Sequence, residues 1–294
     1  MVVLSPSSGA RRQLSALAAS QPESGSWLAL LTATMTGTET PVWDEAAAAL
    51  SLRPASPTPQ PLLAGASIPL ADAVAGDWLR RLFALASDAG PDAISLAGAA
   101  RSDQLDPRAI LAAAANQDAS QLAAHGAALG VAVDTLSVVA QLAATPLLQA
   151  CRRRLASAVA ADWSAGYCPI CGSWPALAER RGLERARRLR CVRCGADWGT
   201  VSFRCPYCGT DDHRQLGSLV SESDGEARGV DTCICCRGYI KTVSTLRAWA
   251  ADEVALADLA TIDLDLAALD RDYARPGAPG LNLGLCLVDP SPAG

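Results

Sequence analysis

Nine of the eleven cysteines in this chain fall between Cys168 and Cys236. They read Cys168-Pro-Ile-Cys171, Cys191-Val-Arg-Cys194, Cys205-Pro-Tyr-Cys208 and Cys233-Ile-Cys235-Cys236. Two Cys-x-x-Cys pairs supply four thiolates, and four thiolates close a tetrahedral shell around one zinc or iron ion. The spacing therefore gives eight ligands and two sites, with Cys235 left over. Nineteen residues separate Cys171 from Cys191, enough for a small hairpin that returns the chain to the metal. The first site accordingly takes Cys168, Cys171, Cys191 and Cys194. Twenty-four residues separate Cys208 from Cys233, with room for two strands (214–222 and 226–231) around the turn Ser223-Asp224-Gly225. The second site takes Cys205, Cys208, Cys233 and Cys236. Cys235 competes with Cys233, and His213 stands near enough to Cys208 to be an alternative ligand, although eight cysteines already fill two shells. Glycine follows the second cysteine at Gly172, Gly195 and Gly209, where a left-handed turn brings backbone N–H groups toward sulfur. Arg237 holds the corresponding place in the last pair.

Cys-Pro-x-Cys-Gly is the pattern of zinc ribbons and rubredoxin-like iron sites. A closed shell leaves no open position for substrate and contributes binding energy directly to folding, so structural metal is favoured over catalytic metal. Paired cysteines favour metal over disulfides in a reducing compartment, and nothing in the first residues directs the chain outward. Arg11-Arg12 and the short apolar run after it match a twin-arginine signal only faintly. The expected location is the cytoplasm. The apolar stretch 127–150 contains Asp134, Gln141 and Pro146 and reads as buried helix, without membrane insertion. Net charge is −5, whereas a nucleic-acid binder normally carries a basic excess. Between Cys168 and Lys241, twelve Arg or Lys face nine Asp or Glu, so this stretch is +3 and the remainder −8. Arg190, Arg193, Arg204 and Arg237 flank the cysteine pairs and could offset the negative charge of a tetrathiolate site. No catalytic constellation is visible.

The rest of the chain is alanine-rich and, with aromatics at 4%, suits closely packed helices. Short helices are expected at 27–31 and 43–52, the second capped by Asp44. A proline-rich connector (54–61) precedes a helix beginning at Asp72 and closed by Gly90-Pro91. Asp106-Pro107 and Asp118 read as helix starts, and Thr145-Pro146 as the start of another. His125 and Cys151 carry no ligand role in this reading. After Lys241, the only lysine, an acidic amphipathic tail packs back on the body and ends in a Gly/Pro-rich extension with Cys286. The expected fold class is α+β: an alanine-rich helical N-terminal domain (1–165, of which 1–68 is loosely structured), then two tandem rubredoxin-like/zinc-ribbon modules. The first module spans 166–204, and the second, with its helical acidic tail, 205–294.

With these residues assembled, the chain resembles the formate dehydrogenase accessory family of the FdhE type. The likeness covers roughly 165–285 and rests on Cys168-Pro-x-Cys171-Gly172-Ser173-x-Pro175, Cys191 and Cys194 with Trp198, and Cys205-Pro206-x-Cys208-Gly209. It continues through Cys233 and Cys236 with Tyr239-Ile-Lys241, and through Asp258-Leu-Ala-Thr-Ile-Asp263-Leu-Asp265. The resemblance implies a non-enzymatic maturation factor that contacts the molybdenum-containing catalytic subunit of a respiratory formate dehydrogenase in the cytoplasm before export. It also implies rubredoxin-like iron at both sites, where spacing alone leaves zinc equally open. Neither nucleic acid nor a membrane is an expected partner, and self-association is left open. The alternatives are a zinc-ribbon nucleic-acid binder, suggested by the arginines of 180–193, and a thiol or iron redox protein using Cys235.

Overall fold

The computed structural model describes residues 8–20, 25–54, 59–90, 93–221 and 225–290. The chain forms two compact units, one made of 1–55, 62–155 and 282–294, the other of 56–61 and 156–281. The division thus falls ahead of the composition change at 163–167.

The first unit is built from α1 (Ser8–Ser20), α2 (Gly25–Gly37), α3 (Pro41–Ala48), the short strand β1 (Ser67–Pro69), α4 (Asp72–Ala86), α5 (Ser95–Ala99), α6 (Pro107–Asn116), α7 (Ala119–Leu129) and α8 (Val133–Leu155). Two starts follow the expected chemistry. The Asp106 carboxylate accepts from the Ala109 N–H with Pro107 in the first turn, and Asp118 accepts from Gln121. Others differ. α2 runs well past Leu31 because Leu28, Leu30, Ala33 and Met35 are buried along it; Thr32 and Thr34 bond back to the Leu28 and Leu30 carbonyls (2.7 and 3.0 Å). α3 begins at Pro41 after Thr40, so Asp44 lies inside the first turn and does not cap it. Thr145-Pro146 does not open a helix either, since α8 continues straight through it. A proline inside a helix costs about 3 kcal/mol. Leu136, Val139, Leu147 and Leu148 are buried on either side, each contributing roughly 1.5–3 kcal/mol. Burial outweighs the break, and Thr145 bonds back to the Gln141 carbonyl at 3.2 Å. Pro91 and the connector residues 55–58 lie outside the described residues.

The second unit carries the cysteines. Six strands, β2 (Leu177–Arg181), β3 (Ala186–Arg190), β4 (Asp197–Gly199), β5 (Leu216–Ser221), β6 (Gly225–Cys233) and β7 (Tyr239–Thr245), make one sheet in the order β4-β3-β2-β7-β6-β5. Each half is an antiparallel meander, and the halves join where β2 runs parallel to β7, Leu177 opposite Lys241. The two ribbon modules therefore share a continuous sheet. Both expected hairpins are present; the turn residues 222–224 of the second lie outside the described residues. The acidic tail forms α9 (Ala251–Ala260) and α10 (Ile262–Leu269) on one sheet face. Val254 and Ala257 pack with Ala176 and Leu177, and Leu264 and Ala268 with Val230 and Tyr239. Ile262, Leu266 and Leu269 are instead about half exposed.

The Gly/Pro-rich extension does not stay with the second unit. Its strand β8 (Cys286–Val288) pairs in parallel with β1, Ser67 opposite Cys286. Asn116 fixes the approach through two 2.9 Å bonds to the Leu285 backbone. The last residues thus belong to the helical unit, outside the module 205–294 in which the sequence placed them.

Lys241 is fully buried beneath α9 and α10. Its ammonium meets Asp258 and Asp265 at 2.8 and 2.6 Å, and Arg275 bridges the same carboxylates at 2.8 and 2.9 Å. Burial works to raise the Asp258 pKa, but Arg275 and Lys241 outweigh it and the carboxyl is held below its ordinary value. Its contribution to stability is therefore complete above the usual carboxylate range and is lost as pH falls through the depressed value. Lys241→Met, which leaves two partly buried carboxylates to one cation, is expected to cost about 3 kcal/mol, the low end for a buried pair. Urea unfolding of the metal-loaded protein at pH 7 reads this directly, and an unchanged midpoint would show that the cluster does not hold the tail in place.

Candidate metal centres

The four cysteine pairs adopt one backbone conformation. In the first three, the N–H of the leading cysteine bonds to the carbonyl five residues on, at 2.8–3.0 Å, and the glycine N–H returns to the cysteine carbonyl at 3.0 Å. Gly172, Gly195 and Gly209 take φ of 66, 74 and 77°, the left-handed region that glycine enters without a Cβ penalty. Arg237 takes the same conformation, φ 56°, as a non-glycine residue. Its guanidinium donates to the Arg271 and Asp272 carbonyls at 2.6 and 3.1 Å and lies 4.2 Å from the Tyr273 ring centre. Its own carbonyl accepts from Ala274 at 2.9 Å. The strain of about 1–2 kcal/mol is offset by contacts that pin the chain after α10 to the fourth knuckle.

The knuckles bring the sulfurs together in the two quartets expected. Cys168, Cys171, Cys191 and Cys194 form one group and Cys205, Cys208, Cys233 and Cys236 the other, with all sulfurs in a group within 4.8 Å of one another. Cys168 and Cys194 are 3.5 Å apart, as are Cys171 and Cys191; the corresponding separations in the second group are both 3.7 Å. A tetrahedral ion with metal–sulfur bonds of about 2.3 Å sets its ligands about 3.8 Å apart, so both quartets could hold a metal ion. Charge makes the same point. In the first group burial pushes the Cys168 and Cys194 thiols well up, while Cys171, accepting from its neighbours' thiols, is held well down. In the second, burial raises Cys205 to about 11. Sulfurs so placed cannot all ionise together without a cation among them.

The two sites differ in access. All four cysteines of the first are buried, whereas Cys208 and Cys236 of the second are exposed. Cys235 lies outside the quartet and is exposed, and the charge of nearby Cys208 raises its pKa. His213 is 83% exposed at its side chain and joins neither group. Of the flanking arginines, Arg193 acts on sulfur, lowering the Cys171 pKa while donating to Ser173 at 3.0 Å. Arg190 instead pairs with fully buried Glu179, which also holds Arg181. Arg204 and Arg237 donate to backbone carbonyls. The Glu179 and Lys241 clusters went unread as sites in the sequence. The only signal was a lone lysine; Asp258 and Asp265 sit on successive helices, α9 and α10, and meet only once the tail has folded.

Treating the metal-loaded protein with a chelator is expected to release metal in two phases, the first from the site with exposed Cys208 and Cys236. Cys208→Ser should remove the fast phase and leave the slow one. Release in a single phase would mean that burial does not govern access to the two sites.

No family profile matches the chain. It is 34% identical over 116 residues to a "Protein FdhE homolog" of Aquifex aeolicus, covering 38% of this chain and 40% of that protein. It is 34% identical over 119 residues to an FdhE homolog of Stutzerimonas stutzeri (40% and 38%), and 32% over 110 residues to one of Edwardsiella ictaluri (37% and 35%). The chain thus spans about two-fifths of the length of the curated relatives it matches. The crystal structure of the FdhE protein from Pseudomonas aeruginosa shares the fold, with a TM-score of 0.60 over 95% of this chain and 97% of that one at 21% identity. The resemblance read from the cysteine motifs is therefore supported: over the matched segments this chain is similar to FdhE homologs, and it shares the fold of an FdhE protein.

Proposed function

We propose that the protein is an FdhE-type accessory factor that helps a respiratory formate dehydrogenase acquire activity. It does so by binding the catalytic subunit in the cytoplasm before export, and is not itself an enzyme. The observation that carries this reading is the pair of cysteine quartets on one sheet in a chain similar to the FdhE proteins. Cys168, Cys171, Cys191 and Cys194 would hold one ion, and Cys205, Cys208, Cys233 and Cys236 a second. Tetrathiolate geometry suits iron and zinc alike; the preference for rubredoxin-like iron comes from the resemblance. When bound, the ion supplies a crosslink that fixes two knuckles against the sheet, and a closed sulfur shell offers substrate no position. Among the described residues no single helix is long and apolar enough to cross a membrane. α7 and the helical run 133–158 pass that test only as a pair bent by 114°.

The test is co-purification of the tagged protein from anaerobically grown cells. Recovery of a formate dehydrogenase catalytic subunit is expected, and Cys205→Ser should lose that partner together with the metal of the second site. Full partner binding by the metal-free protein would contradict a docking surface built on metal, and nucleic acid in place of the subunit would overturn the reading.

A further inference from the structure

The knuckles of the two metal centres pack against each other through a row of aromatic rings. Tyr167 directly precedes Cys168 and Trp174 follows Cys171, so the two bracket the first knuckle, while Tyr207 stands directly before Cys208 in the third. The rings meet edge to face: Trp163 with Tyr167 at 5.7 Å between centres, Tyr167 with Trp174 at 6.0 Å, and Trp174 with Tyr207 at 5.3 Å. Rings so placed attract beyond the apolar area they bury. Their polar atoms are tied down as well. The Trp174 indole N–H donates to the Ala278 carbonyl at 3.0 Å, and the Tyr207 hydroxyl to the Tyr239 carbonyl at 2.9 Å. Tyr239 opens β7 just past the fourth knuckle, so Tyr207 connects both halves of the second site. The backbones also meet: a Cβ on Gly166 would run into the Pro206 carbonyl. The chain entering the first knuckle therefore lies directly against the third.

We propose that the two centres bind metal cooperatively, with Tyr167, Trp174 and Tyr207 as the element that couples them. The inference goes beyond the accessory-factor reading and needs only that both quartets hold metal. A knuckle takes its shape when its thiolates gather on an ion, and site and fold form together. Metal at Cys168, Cys171, Cys191 and Cys194 therefore fixes Tyr167 and Trp174, and these are what Pro206 and Tyr207 rest on. Metal at the second quartet fixes Tyr207 in turn. Either ion thus preforms part of the other's site, and such coupling of binding free energies is reciprocal. The aromatic row reaches the knuckles themselves, whereas the β2–β7 pairing that joins the modules is made by residues 177–181 and 241–245, beyond the ligands. The second site, open to solvent at Cys208 and Cys236, would draw part of its retention from the buried first one.

Equilibrium withdrawal of zinc from the full-length, zinc-loaded protein by a graded chelator tests the proposal. Two single-site forms are needed: Cys168→Ser/Cys171→Ser, which keeps the second quartet, and Cys205→Ser/Cys208→Ser, which keeps the first. Each site is expected to hold zinc about tenfold more tightly in the wild type than alone, by the same factor for both, within the roughly 5–150-fold range of such couplings. A wild-type curve equal to the sum of the two single-site curves would mean independent sites and overturn the proposal. Trp174→Leu keeps all eight cysteines but breaks the row. In that background the same serine pairs should change the affinity of the remaining site by less than about threefold, the non-additivity that marks a shared contact. Tyr207→Leu, which removes the ring from the other side of that contact, should repeat the result. Coupling that survives both ring variants would belong to the shared sheet and overturn the role of the rings. Should the serine forms not fold, the ring variants still decide: both should release zinc at lower chelator concentration than the wild type, and unchanged curves would overturn the proposal.

Discussion

Four sulfurs gathered within 4.8 Å form a stable arrangement only around a cation. Much of the second unit follows from that constraint. Each knuckle needs a left-handed residue four places after its leading cysteine, and glycine supplies it three times. Arg237 supplies it the fourth time, with its side chain tied to the segment after α10. The strands are what return the chain between knuckles. β2 and β3 connect the first quartet, β5 and β6 the second, and the parallel contact of β2 with β7 makes one sheet of the two halves.

That sheet separates two sets of ion pairs. Toward α9 and α10, buried and partly buried cations and carboxylates are matched: Lys241 and Arg275 with Asp258 and Asp265, Arg190 and Arg181 with Glu179. Such clusters are expensive to break and orient the tail helices. On the opposite face Arg180 and Arg187 share Asp231, at 2.8 and 3.1 Å. The second quartet is half buried and half exposed, so its sulfur shell meets solvent where the first does not.

The site was legible in the sequence because Cys-x-x-Cys spacing is a local signal with a direct geometric consequence. The expected quartets are the groups that the fold assembles, and the spare Cys235 and His213 stay outside them. Helix starts at Asp106 and Asp118 were legible for the same reason, since capping is settled within four residues. What could not be read depends on distant partners. Pro146 looks like a helix start until the buried leucines around it are counted, and Cys286 looks unpartnered until β8 lies beside β1. Lys241 and Glu179 are single charges in sequence, and only the sheet register brings their counter-ions near. The arginines of 180–193 read locally as a basic run, while strand alternation divides them between the two faces.

The most direct measurement is metal stoichiometry combined with X-ray absorption at the metal edge on the protein as isolated. Two ions per chain are expected, each with four sulfur neighbours at about 2.3 Å, and conversion of either quartet to serine should remove one ion and leave the other shell intact. One ion per chain, shells of nitrogen or oxygen, or cysteines oxidised to disulfides in place of bound metal would contradict the constraint from which the rest of the second unit has been derived.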